Sequence, residues 1–171
     1  MKMRTLMLPA VLLAFLGAAG VAGAGVDAPR VTTAKHKAPL PLPYDESADA
    51  AAAVAKGIAK AKASGKYVLL DLGGNWCPDC RILAGVLELG EVASAISKTF
   101  EVVAIDVGRM DKNLEIAAAY GVKVRAVPTV IILDPAGRFV NAGNPTALSN
   151  ARAMTPQAIV DTIYGWIAAA N

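Results

Sequence analysis

Cysteine and histidine are scarce in this chain. Its 171 residues include two cysteines, Cys77 and Cys80, and one histidine, His36. Two cysteines are too few for the disulfide framework of a small secreted domain. A zinc ion normally takes four ligands, so a zinc site made only from these three residues is disfavoured, although carboxylates or a second chain could complete one. We therefore expect no metal and no cofactor.

Charged residues are also few. They make up 18% of the chain, with 17 Lys and Arg against 14 Asp and Glu. Two of the basic residues, Lys2 and Arg4, stand at the N-terminus, and the others are scattered along the sequence. No basic patch remains that would attract a phosphate backbone. The composition thus gives no indication of a nucleic-acid partner.

The N-terminal residues resemble an export signal. A short basic start, Met1 to Arg4, precedes the apolar and small residues 5–24, which end in Ala22-Gly23-Ala24. This pattern predicts a signal peptide over residues 1–24. No cysteine lies near its end, which excludes a lipid anchor. The alternative is an uncleaved anchor, since about 20 apolar residues can span a bilayer. The Gly- and Ala-rich second half favours cleavage, and with it a periplasmic protein without stable membrane insertion.

A proline-rich segment separates this signal from the rest of the chain. Residues 25–43 contain four prolines, and prolines at alternate positions block helix and favour extended chain. The composition predicts a linker here, with His36 in solvent, and a folded domain over residues 44–171.

The two cysteines lie where a strand is predicted to turn into a helix. An apolar run of strand length, residues 67–72, is followed by a Gly-rich turn and then by Trp76-Cys77-Pro78-Asp79-Cys80. Pro78 suits the first helical position, which puts Cys77 at the N-cap. The helix N-terminus should lower the pKa of the Cys77 thiol and make it the nucleophile. Cys80, one turn later, would then resolve the mixed disulfide.

The remaining pattern predicts an α/β fold. Two strands joined by a helix should be parallel, and a hairpin should follow them, which gives a mixed central sheet with helices on both faces. The first helix would be capped by Asp45 or Ser47. The predicted helices cover residues 44–64, 78–89, 91–98, 114–120 and 155–170, and the predicted strands cover residues 67–72, 100–107, 127–133 and 138–141.

At three places in register the chain resembles the thioredoxin superfamily. These are Asp71, the Trp76-Cys77-x-x-Cys80 motif, and Val127-Pro128-Thr129 ahead of an apolar strand. The resemblance covers about residues 45 to 171. It implies a thioredoxin-like fold, although the usual first strand is not identifiable, and thiol–disulfide exchange as the activity.

Asp71 is the expected proton acceptor. A carboxyl group in the middle of an apolar strand should be buried, and burial raises its pKa towards neutrality. By resemblance, Asp71 acts as the general base that activates Cys80. The alternative is an aspartate on the wet face of an edge strand.

The other site residues follow from the resemblance. It implies a cis bond at Val127–Pro128, which would form a platform for the substrate backbone, and a partner contact at Trp76. Asp79 departs from the commonest thioredoxin motif. Its charge should oppose thiolate formation at Cys77 but suits the helix dipole, and the sequence leaves the net effect open.

The sequence therefore predicts a monomeric thiol–disulfide oxidoreductase that acts on exported protein thiols or disulfides and is served by an upstream redox partner. One alternative is a non-catalytic binding module on the same fold. Another is a copper-handling protein, although such proteins use CxxxC and a distal histidine. A thiol peroxidase would need a Thr three residues before a cysteine, and neither Cys77 nor Cys80 has one.

A long polar loop, residues 142–154, has no counterpart in thioredoxins. Topology predicts that it lies on the face that carries Cys77. Long loops on a rigid scaffold often carry recognition, so Arg152 could meet an acidic partner. The alternative is a solvated insertion without a role.

Overall fold

The computed structural model describes residues 26–170, and the signal peptide predicted for residues 1–24 lies outside the described residues. No helix within residues 26–170 has the length and apolar character that a membrane crossing needs. In chain order the elements are α1 (Ala50–Ser64), β1 (Tyr67–Gly73), α2 (Pro78–Leu87), α3 (Gly90–Thr99), β2 (Phe100–Asp106), α4 (Leu114–Ala118), β3 (Thr129–Leu133), a 3-10 turn (Ala151–Ala153) and α5 (Pro156–Ala168).

The three strands form a mixed sheet in the order β2-β1-β3. The central strand β1 runs parallel to β2, with Asp71 opposite Ala104, and antiparallel to β3, with Asp71 opposite Val130. Because β1 is central, Asp71 does not lie on an edge strand. The predicted α/β, thioredoxin-like class is confirmed.

Helices cover both faces of this sheet because β1 is apolar on both sides. Leu70 and Leu72 pack in one core cluster with residues of α1 and α4. Leu69 packs in the other cluster, with residues of α2, α3 and α5. Every one of these leucines is fully buried, so β1 is the strand around which the two cores form.

The first helix starts later than the sequence suggests. It begins at Ala50, and its N-cap is Asp49, whose carboxylate accepts a hydrogen bond from the amide of Ala52. The predicted cap Asp45 instead accepts hydrogen bonds from the amide and hydroxyl of Ser47 and closes a local turn. This turn leaves Tyr44 outside the helix, where its side chain enters the core.

The predicted returning strand, residues 138–141, is not formed. Phe139 makes a single antiparallel bridge to Leu133. The side chain of Asn141 takes the place of the ladder: its carbonyl accepts from the amide of Ile132, and its amide donates to the carbonyl of Val130, both at 2.8 Å. A side-chain amide can satisfy β3 in this way without a continuing strand.

The proline-rich segment, residues 26–43, is docked and does not hang free; we call it the N-terminal strap. It contains no helix or strand, as its prolines predict. Gln157 of α5 accepts from the amide of Val31 at 2.7 Å, and Arg81 of α2 donates to two strap carbonyls. His36, which was expected in solvent, is half-buried close to Gly85 of α2. The segment was predicted as a linker, but it is docked because its backbone carbonyls accept hydrogen bonds from side chains of the helices.

Candidate active site at the strand–helix junction

The junction between β1 and α2 places the two thiols. The amide of Cys77 donates to the carbonyl of Gly74 at 3.0 Å and closes the turn. Helix α2 then starts at Pro78 with Cys77 as its N-cap, and the Cys77 sulfur accepts from the amide of Cys80 at 3.2 Å. The N-cap position predicted for Cys77 is confirmed, and the missing amide of Pro78 leaves that of Cys80 as the nearby donor.

The pKa of the Cys77 thiol is lowered to about 7. The hydrogen bond from Cys80 lowers it most, burial opposes the shift, and the Cys80 amide lowers it further. The sulfur lies 3.6 Å from the carbonyl oxygen of Val127. A substantial thiolate fraction therefore exists at neutral pH.

Both thiols are buried, Cys77 at 3% exposure and Cys80 at 0%, but Cys80 has the opposite hydrogen-bonding role. Its side chain is fully buried, and its pKa is strongly raised because it donates to the Cys77 sulfur, because it is desolvated, and because the charges of Asp71 and Cys77 lie nearby. The Cys77 thiol therefore loses its proton near neutral pH, whereas the Cys80 thiol keeps its proton. This asymmetry is what sequential disulfide exchange requires.

Asp71 lies behind Cys80 in an apolar setting. It is 3% exposed, one carboxylate oxygen accepts from the Tyr44 hydroxyl at 2.9 Å, and the other has no protein partner among the described residues. Burial raises the pKa of Asp71 to about 7, while the hydrogen bond from Tyr44 opposes the shift. The group can therefore hold or release a proton near neutrality.

Asp79 is held by the long loop. The amide of Arg152 donates to one carboxylate oxygen of Asp79 at 2.8 Å, and the guanidinium donates to both oxygens. Burial alone would raise the pKa of Asp79, but the hydrogen bonds and charge of Arg152 hold it below its ordinary value. The acid inside the motif is thus paired with a cation.

The contact between Asp79 and Arg152 shows where the loop, residues 142–154, lies. It lies beside the N-terminus of α2, on the side that the topology predicts. Leu148 and Ala151 are fully buried, so the loop is not a solvated insertion. Arg152, which was expected to meet an acidic partner, is bound to Asp79 of its own chain, because that buried carboxylate needs a cation.

The predicted substrate-contact residues surround Cys77. Trp76 is 38% exposed, its ring nitrogen donates to the carbonyl of Gly108 at 2.6 Å, and the Arg109 guanidinium lies 4.7 Å from the ring centroid. The Val127–Pro128 peptide bond is cis. Of these residues Trp76 is exposed, while Cys77, Val127 and Pro128 are buried beside it.

Sequence reasoning missed three residues of this site: Tyr44, Asn75 and Arg152. Asn75 holds the backbone of Tyr44 through two hydrogen bonds, accepting from its amide at 3.2 Å and donating to its carbonyl at 2.7 Å. The available signal was chemical: Asp71 was predicted to be buried, and a buried carboxyl group needs a hydrogen-bond donor. The sequence does not say which distant residue supplies it.

Within the part of the chain that the structure describes, no group of three or more His, Cys, Asp and Glu side chains is placed to hold a metal ion. The Cys77 sulfur has protein partners in the Cys80 amide and the Val127 carbonyl.

Comparison with known proteins agrees with this geometry. A family model described as thioredoxin-like matches residues 49–135. Among solved structures the chain is similar to a disulphide isomerase from Xylella fastidiosa Temecula1, with 42% identity and a TM-score of 0.69, over 75% of this chain and 98% of that chain.

Curated relatives are thioredoxins. The chain is 37% identical over 73 residues to thioredoxin of Bacillus subtilis (strain 168), which covers 43% of this chain and 64% of the relative. It is 35% identical over 97 residues to the bifunctional thioredoxin reductase/thioredoxin of Mycobacterium leprae (strain TN), over 55% of this chain and 20% of the relative. The chain thus spans less than two thirds of the length of either curated relative.

The matched region contains the features on which the site depends. Residues 49–135 include Asp71, the Cys77–Cys80 pair and the Val127–Pro128 bond. The match covers half of the chain, and the similar solved structure shares its arrangement of strands and helices. This chain belongs to the thioredoxin-like family.

Proposed function

We propose that this protein is a thiol–disulfide oxidoreductase that exchanges disulfides with exported proteins in the periplasm. The observation that carries the proposal is the asymmetry of the two thiols. Both thiols are buried, but Cys77 caps a helix and has a pKa of about 7, whereas Cys80 donates to the Cys77 sulfur and has a raised pKa. A binding module without catalysis has no need for this difference.

The proposed reduction has two steps. The Cys77 thiolate attacks a substrate disulfide, so that a Cys77–substrate bond forms, the substrate S–S bond breaks, and one substrate thiolate leaves. The Cys80 sulfur then attacks Cys77, the mixed disulfide breaks, and the second substrate thiolate leaves. The substrate gains two electrons and the Cys77–Cys80 pair becomes a disulfide. An upstream redox partner resets the pair, and the reverse sequence would oxidise a dithiol.

Three groups around Cys77 support binding of an extended substrate. The carbonyl of Val127 lies beside the reactive sulfur, and Pro128 follows it with a cis bond. Trp76 is partly exposed on the same surface. A substrate backbone could pair with Val127 while its side chains contact the indole ring.

The proposal is tested by insulin reduction with dithiothreitol. Wild-type protein should accelerate precipitation of the insulin B chain, and Cys77→Ser should return the rate to the uncatalysed background. Cys80→Ser should retain the nucleophile and accumulate mixed disulfides, whereas the matched Cys77→Ser variant should not. The proposal fails if the wild type does not accelerate the reaction. If only Cys77→Ser accumulates mixed disulfides, the roles of the two thiols are reversed.

Export is tested separately. The full chain, expressed in a bacterial host, should appear in the periplasmic fraction with a mature N-terminus at Gly25, as read by mass spectrometry. Recovery of the intact chain in the cytoplasm would contradict the export part of the proposal and leave the redox part standing.

A further inference from the structure

Tyr44 occupies a place between the buried acid and the buried thiol. Its side chain is 3% exposed, and its hydroxyl donates to Asp71 at 2.9 Å. The same hydroxyl lies close to the Cys80 sulfur, because a Cβ built on Gly73 would lie within 2.8 Å of both atoms, and burial together with the charges of Asp71 and Cys80 raises the pKa of Tyr44. One phenol group is thus hydrogen-bonded to the proposed proton acceptor and lies close to the thiol that must lose a proton.

The backbone around Tyr44 is built to hold it there. Asn75, in the turn that leads to Cys77, binds both the amide and the carbonyl of Tyr44. Gly73 leaves the necessary space, because a Cβ at this position would lie 2.4 Å from the Tyr44 oxygen and 2.8 Å from the Cys80 sulfur. Gly73 and Asn75, both in the β1–α2 junction, therefore fix the side chain of Tyr44, which lies before the family match over residues 49–135.

Asp71 has no charged neighbour in the sheet to take this role. The residues opposite it in the two flanking strands are Ala104 and Val130, both apolar. Its second carboxylate oxygen has no protein partner among the described residues. Tyr44 is thus the polar side chain that the structure places on Asp71.

We propose that Tyr44 relays the proton from Cys80 to Asp71 during resolution of the mixed disulfide. This inference rests on the proposed function and adds a residue to it. A direct transfer from Cys80 to Asp71 would leave the phenol only the roles of packing and of lowering the pKa of Asp71. The hydrogen bond of the hydroxyl to Asp71 and its closeness to the Cys80 sulfur favour the relay.

During resolution, proton transfer through Tyr44 accompanies the disulfide exchange. Cys80 transfers its proton to the Tyr44 oxygen while Tyr44 transfers its own hydroxyl proton to the Asp71 carboxylate. The Cys80 sulfur attacks Cys77, the Cys77–Cys80 bond forms, the Cys77–substrate bond breaks, and the substrate leaves as a thiolate. Tyr44 ends neutral and Asp71 ends protonated, so no phenolate accumulates. Asp71 later returns its proton to solvent or to the reverse reaction.

The central test is Tyr44→Phe, which removes the oxygen and keeps the ring. Single-turnover kinetics with a small disulfide substrate separate the two steps. Formation of the mixed disulfide by Cys77 should change less than about twofold, while its resolution by Cys80 should slow about tenfold or more at pH 7, within the range of general acid–base catalysis. Tyr164→Phe is the matched control: this tyrosine is also buried, but its hydroxyl contacts Thr99, away from the thiols.

A second readout separates a hydrogen-bonding role from a packing role, and the relay additionally requires that resolution in Tyr44→Phe stays slow above the raised pKa of Asp71. The Tyr44 hydrogen bond lowers the pKa of Asp71, so Tyr44→Phe should raise it above its wild-type value of about 7. Carbon-13 NMR of the Asp71 carboxyl measures this pKa, and the pH profile of resolution should shift upward with it. Tyr164→Phe should change neither quantity.

If Tyr44→Phe does not fold, Asn75→Ala decides the question, because it releases the Tyr44 backbone and keeps the phenol. It should slow resolution more than mixed-disulfide formation. Resolution at the wild-type rate in the folded variant, or an equal loss in Tyr164→Phe, would overturn the relay. Failure of the wild type to form any mixed disulfide would instead overturn the proposed function, and the two failures are therefore distinguishable.

Discussion

Two aspartates beside the dithiol are equally buried and behave in opposite ways. Asp71 and Asp79 are each 3% exposed. The pKa of Asp71 is raised to about 7 by burial, while that of Asp79 is held below its ordinary value by Arg152 although burial opposes the shift. Depth alone therefore does not decide whether a buried carboxyl group is charged. The partner decides: a neutral phenol for Asp71 and a guanidinium for Asp79.

The location of each acid explains its partner. Asp79 stands in the first turn of α2 at the edge of the domain, where a loop residue such as Arg152 reaches it and keeps 59% of its own side chain exposed. Asp71 lies in the central strand between apolar residues, where a cation would itself lose its hydration. One acid is thus suited to stay charged and the other to exchange a proton.

The largest effect should come from removing the titratable group. Asp71→Asn keeps the shape and an acceptor for Tyr44 but cannot take up a proton. Resolution by Cys80 should slow about 10²-fold, a value typical of a lost general base. The matched change Asp79→Asn should leave this step within about threefold of the wild type. Single-turnover kinetics measure both, and equal losses in the two variants would contradict the distinction between these acids.

The free energy of unfolding should change in opposite directions when the carboxyl groups of Asp71 and Asp79 are removed. Because the pKa of Asp71 in the folded state exceeds its ordinary value of 3.8, folded protein binds more protons between about pH 4 and pH 7, and its stability falls as pH rises through that window. Asp71→Asn should therefore raise the free energy of unfolding at pH 8 by about 2–4 kcal/mol, with little gain at pH 4. Urea unfolding at both pH values measures this, and a pH-independent gain would count against the raised pKa.

Asp79→Asn should instead destabilise the fold. Its carboxyl pKa is depressed, so its contribution to stability is present above the ordinary value of 3.8 and is lost as pH falls through the lower folded value. The loss at pH 7 should be about 1–2 kcal/mol, because the Arg152 partner is largely exposed and solvent screens the pair. Urea unfolding at pH 7 checks the value, and a stabilised variant would show that the ion pair contributes nothing.

The same ion pair should tune the nucleophile. The charge of Asp79 raises the pKa of Cys77, and Arg152 attracts the Cys77 thiolate. Arg152→Met should therefore raise the pKa of Cys77, and Asp79→Asn should lower it. Ultraviolet absorbance of the thiolate during a pH titration measures both shifts. Shifts of the same sign in the two variants would show that geometry, and not charge, dominates.

The smallest effect should come from the N-terminal strap, which leads into Tyr44. Gln157→Ala removes the acceptor for the Val31 amide and should cost about 0.5–1 kcal/mol in urea unfolding. The pKa of Asp71 should not change, because Asn75 holds Tyr44 locally. A shift in that pKa by NMR would mean that docking of the strap controls the partner of Asp71.

The local sequence was sufficient for the chemistry of the motif and for most of the architecture. Pro78 at the first helical position and the apolar run before Gly73 together placed Cys77 at the N-cap of α2, since both signals act within a few residues. The same kind of local signal separated the helix predicted over 78–89 from the one over 91–98, and the structure places this break at Glu88 and Leu89. It also predicted the helix from residue 155, which is α5 with Thr155 as its N-cap. Burial of Asp71 followed from its place in an apolar strand.

Only the tertiary structure decided which distant groups satisfy the buried polar atoms. Tyr44 reaches Asp71 across 27 positions, Arg152 reaches Asp79 across 73, and Asn141 replaces a predicted strand by binding β3 through its side chain. Many polar residues of the chain could have made these hydrogen bonds, and composition and periodicity do not rank them. The packing of the sheet and helices brings one candidate to each acid, and that partner sets whether the acid holds a proton or a charge.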